Sequence, residues 1–155
     1  MDIRDATQKD VTQLAAIAER CLGAVEAADG LRSAIDNPQY CLRVCVDETG
    51  EVVGYHLDLI LEAVGSAELL EIGVSPVHQR KGFGRRLLDD FVERALGNGI
   101  TEFHLEVRAR NRAARSLYET QGFINVGCRR AYYSDGADAI LYSFFASDSS
   151  EGEDS

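Results

Sequence analysis

No run of apolar residues in this 155-residue chain is long enough to cross a bilayer, and no basic-then-apolar leader pattern opens it. A cytoplasmic protein off the membrane is expected. The three histidines, His56, His78 and His104, have no HxxxH partner, and the four cysteines, Cys21, Cys41, Cys45 and Cys128, show no CxxC spacing, so no metal is expected. Cys41 and Cys45 fall on one face of a β-rich run about 13 Å apart at ~3.3 Å per residue, too far for a disulfide, and read as core thiols. Basic charge is in the minority: 16 Lys and Arg face 26 Asp and Glu, a formal net charge of −10. That balance excludes a wholesale electrostatic grip on nucleic acid or anionic membrane.

What is present is an ordinary globular composition, 45% hydrophobic and 27% charged. At this length one compact domain is expected, burying roughly 70% of the unfolded surface. It is assigned to residues 1–146, with 147–155 as an acidic, disordered tail. A monomer is expected. The charge is unevenly spread: residues 1–79 hold 5 basic and 14 acidic side chains (−9), 80–130 hold 11 and 6 (+5), and 131–155 hold 0 and 6 (−6). The basic segment contains Arg80, Lys81, Arg85, Arg86, Arg108, Arg110, Arg112, Arg115, Arg129 and Arg130, a set suited to a phosphate-bearing ligand or to a solvated helix face.

Periodicity gives an α/β order. Ile3 to Ala6 reads as a strand, and Thr7 to Asp10 as a capping-box start to a helix with Val11, Leu14, Ala15, Ala18, Cys21 and Leu22 on one stripe. A weaker helix is expected near Leu31–Ile35. Tyr40–Val46, Val52–Leu61 and Glu68–Val74 read as an antiparallel meander, the first two joined at Asp47–Glu51. Leu87, Leu88, Phe91, Val92, Ala95 and Leu96 define the clearest helix, ended by Gly97. A strand over Phe103–Val107 follows, its strand–helix–strand connection implying a parallel pair. A helix over Arg112–Gln121 capped by Asn111 and strands over Phe123–Ala131 and Ala139–Phe145 complete the order.

Between the strand ending at Val74 and the helix starting near Gly84 lies Gln79-Arg80-Lys81-Gly82-Phe83-Gly84. Gly82 and Gly84 let backbone N–H groups approach a ligand, and a helix start adds free donors and a positive dipole end, which suits a pyrophosphate. A bare GxG is also an ordinary turn. GxxxxGK[ST] is absent, and Leu87 stands where the dinucleotide fingerprint needs its third glycine. Glu106 falls on the polar side of its strand, where a carboxylate can meet an amine directly or through a water, or simply pair with Arg108. Tyr118 on its own is a helix aromatic, and Tyr132 and Tyr133 on their own are strand packing.

Taken together these segments resemble the GNAT superfamily of acetyl-CoA-dependent N-acetyltransferases, whose Q/R-x-x-G-x-G/A signature is met at Gln79, Gly82 and Gly84. The likeness runs from Ile3 to Phe145. It implies a mixed central sheet of about six to seven strands, with antiparallel N-terminal strands and a splayed parallel pair, and about four helices. It also implies that Gln79, Arg80, Lys81, Gly82, Phe83, Gly84 and Arg85 bind the coenzyme's pyrophosphate and that the backbone of Ile72-Gly73-Val74 pairs with its pantetheine arm. Leu105-Glu106-Val107-Arg108, Asn111, Leu117-Tyr118-Glu119, Gly122-Phe123 and Arg129-Arg130-x-Tyr132-Tyr133 look like the RimI-type branch, which acetylates the N-terminal alanine of a small-subunit ribosomal protein, S-eighteen.

That resemblance implies Glu106 as general base, Tyr118 as general acid, Asn111 as a coenzyme contact, and Tyr132 and Tyr133 beside the entrance for a basic N-terminal peptide. Direct transfer in a ternary complex is expected, since no cysteine lies in the motif segment. One departure is the Pro-Trp-Ser stretch common after the branch's first helix, replaced here by Cys21-Leu22-Gly23-Ala24-Val25 in a chain without tryptophan. A GNAT acting on a lysine, polyamine or other small amine, and a non-catalytic acyl-CoA-binding module, are the alternatives.

Overall fold

The computed structural model describes residues 2–146; the expected acidic tail at 147–155 lies outside the described residues. Among them are seven strands and four α-helices in two compact units. One unit takes in the chain up to Ile60 and Leu69–Arg94, the other Leu61–Glu68 and the chain from Ala95 onward. No described helix is long and apolar enough to cross a membrane.

The first unit contains β1 (Asp2–Asp5), α1 (Val11–Leu22), α2 (Ala27–Asp36), β2 (Tyr40–Val46), most of β3 (Val52–Leu61), the C-terminal part of β4 (Ser66–Val74) and all but the last turn of α3 (Phe83–Gly97). Its strands run in the order β1-β2-β3-β4. β1 and β2 pair antiparallel with Ile3 opposite Cys45, and β2 and β3 likewise with Val44 opposite Tyr55. The apolar stripe of α1 puts Val11, Leu14, Ile17 and Ala18 into a core with Leu31 and Ala34 of α2 and Val44, Tyr55 and Leu57 of the strands. The start of α1 is set as its sequence predicts. The Asp10 carboxylate accepts the Thr7 N–H at 2.8 Å and is gripped by both Nη atoms of Arg4 at 2.8 and 3.0 Å.

The second unit contains β5 (Glu102–Arg108), α4 (Arg112–Thr120), β6 (Ile124–Arg129) and β7 (Ala139–Phe145). β7 pairs antiparallel with β5 and with β6, in the order β5-β7-β6. Its core is aromatic: Phe144 packs on Phe103 and Phe123, and Tyr118 on Phe123 and Tyr142, with ring centroids 5.6–6.2 Å apart.

Several expectations move. The weak helix near Leu31–Ile35 is a full helix from Ala27, and Leu96 of the expected α3 stripe is exposed while Leu87, Leu88, Phe91 and Ala95 are buried. The buried stripe of α3 runs through Leu87, Leu88, Phe91 and Ala95, and Leu96, one residue past it, turns to solvent. β6 stops at Arg129, so Tyr132 and Tyr133 sit in the loop before β7 and not in a strand. Ala131, with φ at +51°, breaks the extended backbone there. Cys45 is buried as a core thiol, whereas Cys41 is half-buried, its thiol pushed up to about 12 by burial and by Asp58.

Candidate active site

The motif residues divide between the units, and each set is described within its own. In the first unit β4 runs through Ile72, Gly73 and Val74 toward the loop that carries Gln79 to Gly82. Close packing makes β3 and β4 meet backbone to backbone here. A Cβ added at Gly54 would lie 2.9 Å from the Gly73 carbonyl and 3.0 Å from Leu87 Cδ1. The Val74 carbonyl accepts from Cys21 Sγ at 3.0 Å and from Gln79 Nε2 at 3.1 Å. The signature glutamine therefore braces the end of β4, a role its spacing alone does not disclose.

The next residues form a donor-lined bend. Arg80 has φ at +64° and Gly82 at +86°, left-handed positions that turn successive N–H groups the same way, as in an anion-binding nest. α3 begins at once with Phe83, and its first hydrogen bond runs from Arg86 N to the Gly82 carbonyl at 3.1 Å. The N–H groups of Phe83 and Gly84 thus precede the first helical bond and have no helical acceptor. A diphosphate fits this cradle: converging donors, the positive end of a 15-residue helix and the cations Arg80, Lys81 and Arg85. A Cβ added at Gly82 would meet nothing within 4 Å, so its glycine requirement comes from φ and not from protein crowding.

In the second unit Glu106 stands in the middle of β5, between the buried Leu105 and Val107, with 23% of its side chain exposed. Arg129 Nη1 lies 3.6 Å from its Oε1. The Glu106 carboxylate also raises the ionisation of the Tyr132 phenol above its ordinary value. The pairing of Glu106 with Arg108 considered from sequence does not form. Arg108 instead donates through Nη1 to both carboxylate oxygens of Asp135, at 3.0 and 2.8 Å, and lies over the Tyr133 ring.

Tyr118 is only 4% exposed, and burial pushes its hydroxyl up to about 12, the neighbouring Tyr133 adding to the rise. Such a phenol stays protonated through the neutral range and keeps a proton to donate. Asn111 Oδ1 accepts the Ala114 N–H at 3.1 Å and so caps α4 as expected, leaving its amide group to donate elsewhere. Sequence reasoning missed the ties beneath this set. Arg115 donates to the Tyr142 hydroxyl at 3.0 Å and to the Ala109 carbonyl at 2.9 Å, and Tyr142 donates to Glu119. No local motif joins residues so far apart in the chain.

Among the described residues Asp47, Glu51 and His78 bring ligand atoms within 4.8 Å of one another, with His78 Nε2 3.8 Å from Asp47 Oδ2. The grouping is invisible to spacing rules because a hairpin and a distant turn supply it. Carboxylates of this kind near an imidazole are common without an ion, and the Asp47 Oδ1 atom already accepts from Thr49 N, Thr49 Oγ1 and Glu51 N.

The acetyltransferase (GNAT) family model matches residues 11–123. The chain is 37% identical over 97 residues to the [ribosomal protein bS18]-alanine N-acetyltransferase of Escherichia coli, a match covering 61% of this chain and 64% of that relative's length. It is 48% identical over 73 residues to the N-alpha-acetyltransferase RimI of Mycobacterium tuberculosis, covering 46% of this chain and 44% of that one. The crystal structure of a ribosomal-protein alanine N-acetyltransferase from Escherichia coli superposes with a TM-score of 0.85 at 28% identity, over 96% of this chain and 95% of that one.

Proposed function

Because the chain belongs to the GNAT acetyltransferase family, we propose that it transfers the acetyl group of acetyl-CoA to the N-terminal α-amine of a protein, the alanine of ribosomal protein bS18 or an equivalent basic tail. The observation that carries this reading is the pair of opposite proton roles in one unit: an accessible carboxylate, Glu106, and a buried phenol held protonated, Tyr118. Acetyl-CoA supplies an activated thioester. The cradle at Arg80–Arg85 holds its diphosphate, and the backbone of Ile72–Val74 aligns its arm. Glu106 takes the proton of the acceptor ammonium, directly or through a water, while the new N–C bond replaces the C–S bond. Tyr118 donates to the departing sulfur.

An α-ammonium suits a plain carboxylate base. Its reference pKa is about 7.7–8.0 against about 10.4 for lysine, so freeing it at neutral pH costs roughly 3 kcal/mol less. A basic tail also suits a chain whose residues 1–79 carry a net −9. The test is a peptide panel incubated with acetyl-CoA, reading release of free thiol. Peptides beginning Ala-Arg turn over fastest, Ser-Arg more slowly, and an N-terminally blocked peptide with internal lysine not at all. Equal turnover of the lysine peptide would overturn the α-amine assignment, and no turnover of any peptide with intact acetyl-CoA binding would overturn the enzyme reading.

A further inference from the structure

We propose that Glu71 is a specificity-determining residue for the acceptor: in a cavity beside α2 it receives the cationic side chain of the residue that follows the acetylated one. The assignment depends on the acetyl-CoA arm lying along Ile72–Val74, as read above. The cavity has a volume of about 440 Å³ and lies wholly within the first unit, between α2 and the strands. Ala27, Gly30, Leu31 and Ala34, spaced i, i+3, i+4 and i+7, present one helix face to it, and Leu57 and Glu71 line it from β3 and β4. Its walls are short and largely apolar, with a carboxylate among them. That combination fits an aliphatic stem ending in a cation, the chemistry of arginine and lysine.

The carboxylate is fixed but not saturated. The hydroxyl of the fully buried Tyr55 donates to Glu71 Oε1 at 2.7 Å, and among the described residues no cation pairs with the group. An ionised carboxylate accepts several bonds, so room remains for a guanidinium or an ammonium. Gly30 is a separate sign of an occupant. Glycine is the poorest helix former after proline, yet it stands inside α2 where a Cβ would meet nothing within 4 Å. Neither a left-handed φ nor crowding by the protein calls for it, whereas a longer side chain there would fill the cavity. Glu26 brings a second carboxylate to the lining, from a left-handed backbone at φ +63° and with no capping bond from its side chain.

Place on the strand ties the cavity to the acceptor. Glu71 lies two residues before Gly73, ~6.6 Å along β4 and on the same face, where a Cβ at Gly73 would meet Tyr55 and Ile17. An α-amine that meets a thioester held at Ile72–Val74 therefore brings its next residue within a side chain's reach of Glu71. Charge agrees with that direction. Residues 1–79 carry a net −9, which favours a cationic side chain over a neutral one of the same shape.

The experiment is a calorimetric titration of the full chain, saturated with unreactive CoA, with three peptides that begin Ala-Arg, Ala-citrulline and Ala-Gly and carry no other charged side chain. Citrulline keeps the shape of arginine and removes its charge. The wild type is expected to bind Ala-Arg about tenfold or more tightly than Ala-citrulline, and Glu71→Gln to bring the two within about twofold. Gly30→Leu replaces a poor helix former with a good one, so it keeps or raises the unfolding midpoint while lowering Ala-Arg affinity to that of Ala-Gly. A wild type without the arginine preference, a preference that survives either substitution, or a Glu71→Gln variant weakened equally toward all three peptides overturns the proposal. Turnover with acetyl-CoA is read beside binding. If no peptide is acetylated while the preference depends on Glu71, the acetyl-transfer reading fails and the cavity assignment survives; if Ala-Arg is acetylated with a preference indifferent to Glu71, the reverse holds.

Discussion

Glu106 and Tyr118 differ in surroundings as much as in chemistry, and the difference sets what their removal should do. Glu106 is partly open, with Arg129 Nη1 3.6 Å from its Oε1, so Glu106→Gln keeps the shape and loses only the proton acceptor. Tyr118 is packed against Phe123 and Tyr142, and Tyr118→Phe keeps those ring contacts and loses only the hydroxyl. Each is expected to cut turnover roughly 10²-fold with little change in acetyl-CoA binding, measured by steady-state rates beside calorimetric titration. Unchanged rates in both would remove the acid–base assignment. Gly54→Ala belongs to another class: its Cβ would meet the Gly73 carbonyl at 2.9 Å, and backbone cannot swing aside. A loss of about 1–3 kcal/mol of stability is expected in denaturant unfolding, with the end of β4 displaced as well.

Elements are where sequence and structure agree most closely, because caps and periodicity are local. Asn111 was readable as a cap and is one, so Asn111→Ala is expected to cost about 1 kcal/mol of stability, seen as a shifted denaturation midpoint. If its amide also holds acetyl-CoA, the coenzyme Kd rises in the same variant, whereas Asn111→Ser restores the cap without the amide and separates the two. β2, β3 and β7 fall where alternation puts them. What was not legible depends on distant partners. Nothing near Arg108 in the chain announces Asp135, and nothing near Gln79 announces the Val74 carbonyl as its acceptor. The strand expected over Phe123–Ala131 ends two residues early, at Arg129, for a related reason: a left-handed Ala131 breaks the extended backbone, which propensity alone does not show. The signature residues were legible as a set; the roles within it required the contacts.

At the scale of the molecule the uneven charge becomes a stability profile, through a buried group that no motif contains. His56 is fully buried, with Asp58 Oδ1 2.8 Å from Nδ1 and Asp90 Oδ2 2.8 Å from Nε2. Asp90 also receives Arg43 through Nε and Nη2, both at 3.0 Å, and Arg43 reaches Asp5 at 3.0 Å. Burial lowers the imidazole, yet two carboxylate partners more than offset it, and His56 rises from 6.5 to about 8. Asp90 is held well below the usual carboxylate range by His56 and Arg43 against its own burial. The signs differ. The imidazolium stabilises the fold fully below the unfolded value near 6.5, and that contribution is lost as pH rises through about 8. Asp90 stabilises above the unfolded carboxylate value near 3.8, and that is lost in acid. Asp58, raised above the ordinary carboxylate value by burial, has the opposite sign to Asp90, so the acid side is a balance of the two carboxylates, and the loss that belongs to His56 lies between about pH 6.5 and 8. A rise of 6.5 to about 8 corresponds to about 2 kcal/mol, and it should disappear between pH 6 and 9 in urea unfolding. Deprotonation there also removes a positive charge from a chain whose formal net charge is −10 with its histidines neutral, so self-repulsion acts in the same direction. Salt distinguishes the two: 0.5 M NaCl screens the surface repulsion and leaves most of the loss at the buried histidine, whereas a profile made flat by salt would assign the whole effect to surface charge.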